Sequence, residues 1–456
     1  MADLQALDIH EQNKYNPLAQ QYSLNSLLRF SFPTIFMMVF TGLYTIVDTV
    51  FVSRFVNTDA LSSINIVTPI INIIVGLGAA LAAGGSAIVA RKLGAGRDAE
   101  ARKDFSLIIL TGLSLGLIIT IVGLLFLEPI TYALGANSVL IPYVKDYLSL
   151  LLIFAPANIL QAIFAIFFVA AGTPRLGMAL ALLAGFSNML FDFIFIVPMQ
   201  MGIAGAALAT GIGYLIQTVG GIVFFLRNTD KALHFIVPHF KIGVIGESLF
   251  NGSSEMVGHL SSAVTTFLFN ITMMKLLGED GVAAITIIIY SQFLLSTFYI
   301  GFSMGVAPIF SYNYGSQDHT QIKRIFRICI AFIMSVSVLV FSIAMIGGPY
   351  LTGIFSPEGT LVNSITRVGF SIVPFAFLFS GLNIFSSALF TAFSNGKISA
   401  AVSFLRSLVF LSIGILVLPL LFGIQGVWLA VPLAEVCTFL VSISFIWNKK
   451  EKYHYL

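Results

Sequence analysis

Four polar residues stand inside otherwise apolar runs: Asp48, Asn188, Asp192 and Thr210. The stretch SNMLFDFIFIV, Ser187 to Val197, shows the contrast, with one carboxylate among Phe, Ile, Leu and Met. Placing an ionisable side chain at the centre of a bilayer costs from ~3 to more than ~10 kcal/mol, so such residues mark ion or substrate routes. Asn188 and Asp192 are four apart and share one helix face. Two carboxylates, an amide oxygen and a hydroxyl are hard donors that suit a small cation, or a proton held between the acids. Burying two like charges together is costly, so uptake of a proton or cation neutralises such a site.

The elements that position these groups follow from composition. The chain has 456 residues, 58% of them hydrophobic and 9% charged, against ~25% charged in a soluble domain. That leaves too little polar surface for water, and an integral membrane protein is implied. A formal charge of +3, spread along the chain, gives no footprint for nucleic acid. Cys329 and Cys437 lie in apolar segments and form no disulfide framework. The polar, partly acidic start MADLQALDIHEQNKYNPLAQQ lacks the pattern of a cleaved signal, so the first apolar helix is expected to act as an uncleaved anchor.

Apolar windows long enough to cross ~30 Å of hydrocarbon fall into twelve groups: 26–53, 61–90, 105–127, 138–171, 176–197 and 203–226, then 248–276, 282–312, 326–348, 362–392, 398–419 and 423–447. They are far longer than barrel strands, so they are helices. The loop ARKLGAGRDAEARKDF carries five Lys and Arg, and Arg175, Arg227, Lys231, Lys241, Lys323, Arg324, Arg327 and Lys397 follow on the same side. The alternate loops near 129–138, 198–202 and 420–422 carry none. By the positive-inside rule both termini face the cytoplasm of a cell-membrane protein. The expected organisation is a cytoplasmic segment 1–25, an amino lobe 26–227, a cytoplasmic connector 228–247, a carboxy lobe 248–448 and a cytoplasmic tail 449–456.

The halves repeat. VNTDALSSINI aligns with LGEDGVAAITI at a separation of 221 residues (Asp59 to Asp280), and the same separation joins Gly94 to Gly315 and MGIAGAALAT to FGIQGVWLAV. Each half holds six helices, so the halves are parallel repeats about an axis along the membrane normal, with a cleft between two lobes. This is an all-α, twelve-helix architecture that transporters use. The polar groups break the symmetry: at that register Asp48, Asn188, Asp192 and Thr210 face Phe269, Val409, Ile413 and Val431. A group present in one half alone points to a function added to the scaffold. At 1.5 Å per residue, Asp48, Asp192 and Thr210 lie at one level, about 8–12 Å below the outer surface.

Other polar residues are less specific. Glu255 and His259 are four apart near the inner third of helix 7; they would bind a cationic ligand, relay protons or form a local pair at an aqueous opening. Arg406 on helix 11 and Glu435 on helix 12 both fall near mid-membrane and are expected to meet as a structural ion pair. Pro33 in helix 1 frees a backbone carbonyl and permits a bend. Thr41, Tyr44 and Asp48 share a face above it, and Gln161 on helix 4 joins Thr41, Tyr44, Glu255 and His259 as a candidate ligand-binding residue.

TIVDTVFVSRF on helix 1, SNMLFDFIFI on helix 5, GIAGAALAT entering helix 6 and VAAGTPRLGM before helix 5 resemble the multidrug and toxic compound extrusion (MATE) family over almost the whole chain. GSSEMVGHLSS looks most like its Gram-positive multidrug-exporter branch. The turn before helix 5 lacks the family's usual acidic residue, and helix 10 carries no acid of the kind another branch uses. What the resemblance implies is antiport without a cofactor and without enzymatic chemistry: a proton or sodium ion enters while an organic, often cationic or amphipathic, drug leaves. Asp48, Asn188, Asp192 and Thr210 match the amino-lobe cation site and would be the metal ligands if sodium is the coupling ion. Tyr44 matches a neighbouring cavity residue, and Pro33 the proline at which bending is proposed.

The expected function is therefore a cation-coupled multidrug exporter working by alternating access, as a monomer in the lipid bilayer with no nucleic-acid partner. The alternative is a lipid-linked precursor flippase of the same superfamily, which needs a basic central cavity; Arg406 is the one deep basic residue the sequence offers it. An aspartyl-protease dyad is disfavoured because neither acid lies in a Gly-x-Gly-Asp setting, and a channel because the carboxylates form no ring.

Overall fold

The computed structural model describes residues 17–456, which are helical almost throughout. The first six spans are α1 (Leu24–Phe55), α2 (Thr58–Gly94), α3 (Asp98–Leu125), α4 (Ile141–Ile153 with Ala155–Ala170), α5 (Pro174–Ile196) and α6 (Gly202–Arg227). Side chains set several starts: Ser23 exchanges capping bonds with Ser26 at α1, and Asn57 accepts from the Ala60 amide at α2. Beyond Ile242–Asn251 the helix Ser253–Gly315 runs for 63 residues. At 1.5 Å per residue it would be about three times the bilayer's thickness, and it reverses at Gly278, where φ is 66° and ψ −149°. A side chain is excluded from that backbone conformation. The reversal separates α7 (242–277) from α8 (279–315). The remaining spans are α9 (His319–Phe355), α10 (Leu361–Ala392), α11 (Gly396–Phe422) and α12 (Ile424–Tyr453). Twelve crossings in two six-helix lobes agree with the sequence reading.

The backbone carries the repeat in its turns. Gly96 and Gln317, and Gly202 and Gly423, all have positive φ and stand 221 residues apart. The outer turn at Gly278 corresponds to Asn57, so one lobe turns with a glycine and the other with a capping side chain. The register is not uniform, and here the sequence reading needs correcting. The second segments of α4 and α10, Ala155–Ala170 and Phe377–Ala392, are related by 222 residues, as are the positive-φ turns at Gly172 and Ser394. Entering α5 and α11, Asn188 and Asp192 therefore correspond to Phe410 and Gly414 instead of Val409 and Ile413. The asymmetry stands, since the partners remain apolar.

The helices extend beyond the apolar windows. The stretch assigned to a connector ends early, with α7 starting at Ile242. Its irregular part is tied to the amino lobe: Arg102 donates to Ala232 O at 3.0 Å, Ser106 accepts from the Ile236 amide, and Phe235 joins Phe105 and Phe225. The described part of the amino-terminal segment is also docked, with Leu18 and Tyr22 fully buried and Gln321 on α9 donating to Gln20 O. At the other terminus Tyr455 folds back, stacking on Phe326 and donating to Ile446 O.

The lobes meet along a seam built on glycines, at the end of the bundle that carries the basic loops. Gly94 of α2 lies against Tyr312 O of α8 and Gly315 of α8 against Arg91 O of α2. Gly252 of α7 faces Ala80 O, and Gly84 of α2 faces Ser248 O. Gly301 and Gly305 of α8 receive Ser31, Thr34 and Ile35 of α1, the segment that contains Pro33. Arg91 adds an ion pair to Glu247 across the seam at 3.0 Å. Within the amino lobe, Lys92 bridges to Asp104 and Glu100.

Candidate functional site

A glycine brings α1 and α5 together beside the acids. A side chain at Gly185 of α5 would collide with Phe40 and Tyr44 of α1, whereas one at Gly213 of α6 would meet Ala184 O and Asn188 at ordinary contact distance. The missing Cβ at Gly185 lets α1 close on α5 one turn from Asn188. The consequence is the convergence that the sequence reading expected. Asp192 and Asn188 are buried, at 1% and 3% exposure, and Thr210 is half-buried. The Asp48 and Asp192 carboxyl groups lie within hydrogen-bonding reach of each other. Asn188 Nδ2 donates a long bond, 3.4 Å, to Thr210 Oγ1, which leaves its carbonyl oxygen free.

The oxygens of this cluster lack donors. Asp48 Oδ1, Asn188 Oδ1 and both Asp192 oxygens are buried and receive no protein hydrogen bond among the described residues. Buried polar atoms are nearly always paired, and an uncompensated buried carboxylate is heavily penalised. Four buried acceptors without donors would be satisfied by a positive charge: a proton shared by the acids, or a small hard cation taking oxygens from all three helices. No His or Cys joins them, and no group of three His, Cys, Asp or Glu converges anywhere among the described residues. The donor set is that of an alkali cation or proton, not of a transition metal.

Sequence reasoning missed part of the wall. Tyr147 of α4 lies within electrostatic range of both acids, and Tyr214 of α6 within range of Asp48 and Tyr44. Tyr214 stands four residues beyond Thr210, and that spacing was a usable signal; Tyr147, on the first segment of α4, had none. Thr41 and Tyr44 are half-buried on the Asp48 side of α1. Gln161, on the second segment of α4, lies about four turns from Tyr147 and stands apart from the acids.

Glu255 and His259 line α7 where it faces α2, with the His259 Cβ opposite Gly76. They do not form a local pair: among the described residues neither side chain makes an ion pair or hydrogen bond. Arg406 and Glu435 do meet, as expected, with Arg406 Nη2 at 2.8 Å and Nε at 2.9 Å from one carboxylate oxygen. Asn383 donates to the other at 2.7 Å. Arg406 sits in a π-helical stretch of α11, Leu405–Phe410, a widened turn often found at functional or specially shaped sites. Pro33 lies inside an unbroken α1.

The profile of the MatE family matches residues 33–194 and 256–416, one copy in each lobe. The multidrug export protein MepA of Staphylococcus saprophyticus is 24% identical over 429 residues, covering 93% of this chain and 94% of that protein. MepA of Staphylococcus aureus is likewise 24% identical, with 94% of each chain covered. A crystal structure of a MATE protein in complex with MaL6 superposes with a TM-score of 0.91 at 20% identity, covering 96% of this chain and 98% of that one. An outward-facing multidrug resistance MATE transporter of the MOP superfamily gives 0.89 at 19% identity, with 95% and 97% covered. With one family domain in each half and the same fold end to end, this chain belongs to the multidrug and toxic compound extrusion (MATE) family.

Proposed function

We propose that the protein is a cation-coupled antiporter that exports organic, often cationic or amphipathic, compounds across the cell membrane. The observation that carries this reading is the donor-free oxygen cluster of Asp48, Asp192, Asn188 and Thr210 in the amino lobe. The names of the Staphylococcus relatives support the substrate class. In the orientation given by the positive-inside rule, the basic end and both termini are cytoplasmic. The seam then closes the inner side, and the cleft between the lobes faces out.

In this state a proton or sodium ion entering from outside neutralises the acids. Charge neutralisation removes the repulsion between Asp48 and Asp192 and lets α1, α5 and α6 draw together, which favours drug release and closure of the amino lobe. Release of the cation inside restores the charged pair. A tenfold proton gradient supplies ~1.4 kcal/mol and 100 mV ~2.3 kcal/mol per charge, so one or two cations support a substantial outward drug gradient. Glu255 and His259, whose side chains are unpaired where α7 faces α2, are assigned to substrate contact together with Tyr44, Thr41 and Gln161. The flippase alternative loses its main support, because Arg406 is engaged by Glu435 and offers no free charge to a phosphate.

The test is purified protein in liposomes, with pH and sodium gradients imposed separately while a fluorescent organic cation is followed. One gradient is expected to drive accumulation against the dye's own gradient. Movement under neither removes antiport from the reading.

A further inference from the structure

The start of α9 carries an open groove of about 570 Å³ lined by His319, Thr320, Lys323, Arg324, Arg327 and Ile328. Three of these are permanent cations within little more than one helical turn, and none of them makes an ion pair among the described residues. Elsewhere at the basic end acids hold several of the cations: Glu247 pairs with Arg91, Asp104 and Glu100 with Lys92. Like charges gathered in one groove repel, and without a counter-charge the arrangement is unfavourable.

The same face of α9 says what lies beside it. Thr320, Arg324, Arg327 and Ala331 are exposed at spacings of three and four residues, and the stripe continues through Met334, Val338, Leu339, Ile343 and Ile346. Exposed apolar side chains in a membrane-spanning helix face acyl chains. The level of the boundary is marked next door: Trp447 of α12 is 61% exposed, with Lys450 Nζ 3.6 Å from its ring centre, as expected where hydrocarbon meets headgroups. The tail closes one side of the groove, with the His454 ring 4.2 Å from that of His319. A negatively charged head above and two apolar chains below are the shape of one molecule.

We propose that this groove is a binding site for an anionic phospholipid of the adjoining leaflet. Its phosphate sits among Lys323, Arg324 and Arg327, and its chains run along Ala331, Met334 and Val338. Juxtamembrane cations attract anionic lipid additively, and Arg adds paired donors matched to phosphate oxygens.

The experiment uses the full chain purified into nanodiscs of phosphatidylcholine with a minor fraction of phosphatidylglycerol, with retained lipid read by native mass spectrometry. Wild-type protein is expected to keep phosphatidylglycerol in preference to phosphatidylcholine. The variant Lys323→Gln/Arg324→Gln/Arg327→Gln is expected to lose about a hundredfold in that preference. An equal charge change elsewhere at the basic end, Arg175→Gln/Arg227→Gln/Lys231→Gln, is expected to leave it intact. Equal retention by wild type and the α9 variant overturns the proposal, and so does equal loss in both variants, which would mean diffuse attraction. Displacement of the lipid by millimolar inorganic phosphate overturns it in favour of a soluble anion. Should the triple variant not fold, Arg324→Gln/Arg327→Gln, both at exposed positions, carries the same test.

Discussion

Both lobes bury carboxylates in the membrane, and they treat them in opposite ways. In the carboxy lobe Glu435 has its charge answered from within: Arg406 takes one oxygen and Asn383 the other, while Ser442 donates to Asn383. In the amino lobe Asp192 has no donor on either oxygen among the described residues, and the charged group beside it is another acid. The repeat makes the contrast sharper. Glu435 occupies the position of Tyr214, and Asn383 that of Gln161. At the positions of Asp48 and Thr210 the carboxy lobe has Phe269 and Val431, packed with Trp428 and Ile285 in a closed apolar cluster. One lobe has filled the pocket and locked its acid; the other keeps buried oxygens that no donor among the described residues satisfies.

The largest expected effect breaks the comparison from the amino side. Asp192→Asn keeps the shape of the carboxyl group and removes its charge, imitating the cation-bound state permanently. Gradient-driven dye export in liposomes is expected to disappear, while thermal unfolding stays at or above the wild-type midpoint because a buried charge has gone. Full export by this variant would remove Asp192 from the coupling role. Next comes the locked acid. Arg406→Met strands Glu435 without its cation, and breaking a buried pair from one side costs about 3–5 kcal/mol. The unfolding midpoint is expected to fall clearly, and Arg406→Met/Glu435→Gln to recover most of the loss. No recovery would mean that Arg406 acts through packing instead of charge. The smallest effect sharpens the boundary of the cation site. Thr210→Val removes one hydroxyl, a ligand a shared proton does not need, so a several-fold rise in the cation concentration for half-maximal transport is expected only under sodium drive. An unchanged value under both drives would place Thr210 outside the site.

Much of this was legible in the residues. Asp48, Asp192, Asn188 and Thr210 announced themselves because a charge or amide in an apolar run is costly enough to need a reason. The level at which they meet followed from helix rise alone, and Arg406 and Glu435 were readable on the same grounds. Residues acting through aromatic bulk were not. Tyr147 and Tyr214 look like ordinary apolar-run tyrosines until the packing of α4 and α6 beside α1 and α5 brings them to the acids. The one-residue slip between α4–α5 and α10–α11 was hidden because the matching blocks lay on either side of it. The N-terminal contacts of Leu18 and Tyr22 were also invisible, since a short polar segment gives no periodicity to read.

The meeting of the lobes has a consequence of its own. Much of the joint between Gly94 and Tyr312, Gly315 and Arg91, and Gly252 and Ala80 is bare main chain pressed on main chain. Such a joint parts with few interlocked side chains to disengage, and it re-forms without a search among rotamers. It also has no slack, so a single added methyl group at one of these three glycines would act as a doorstop and hold the transporter ajar on that side.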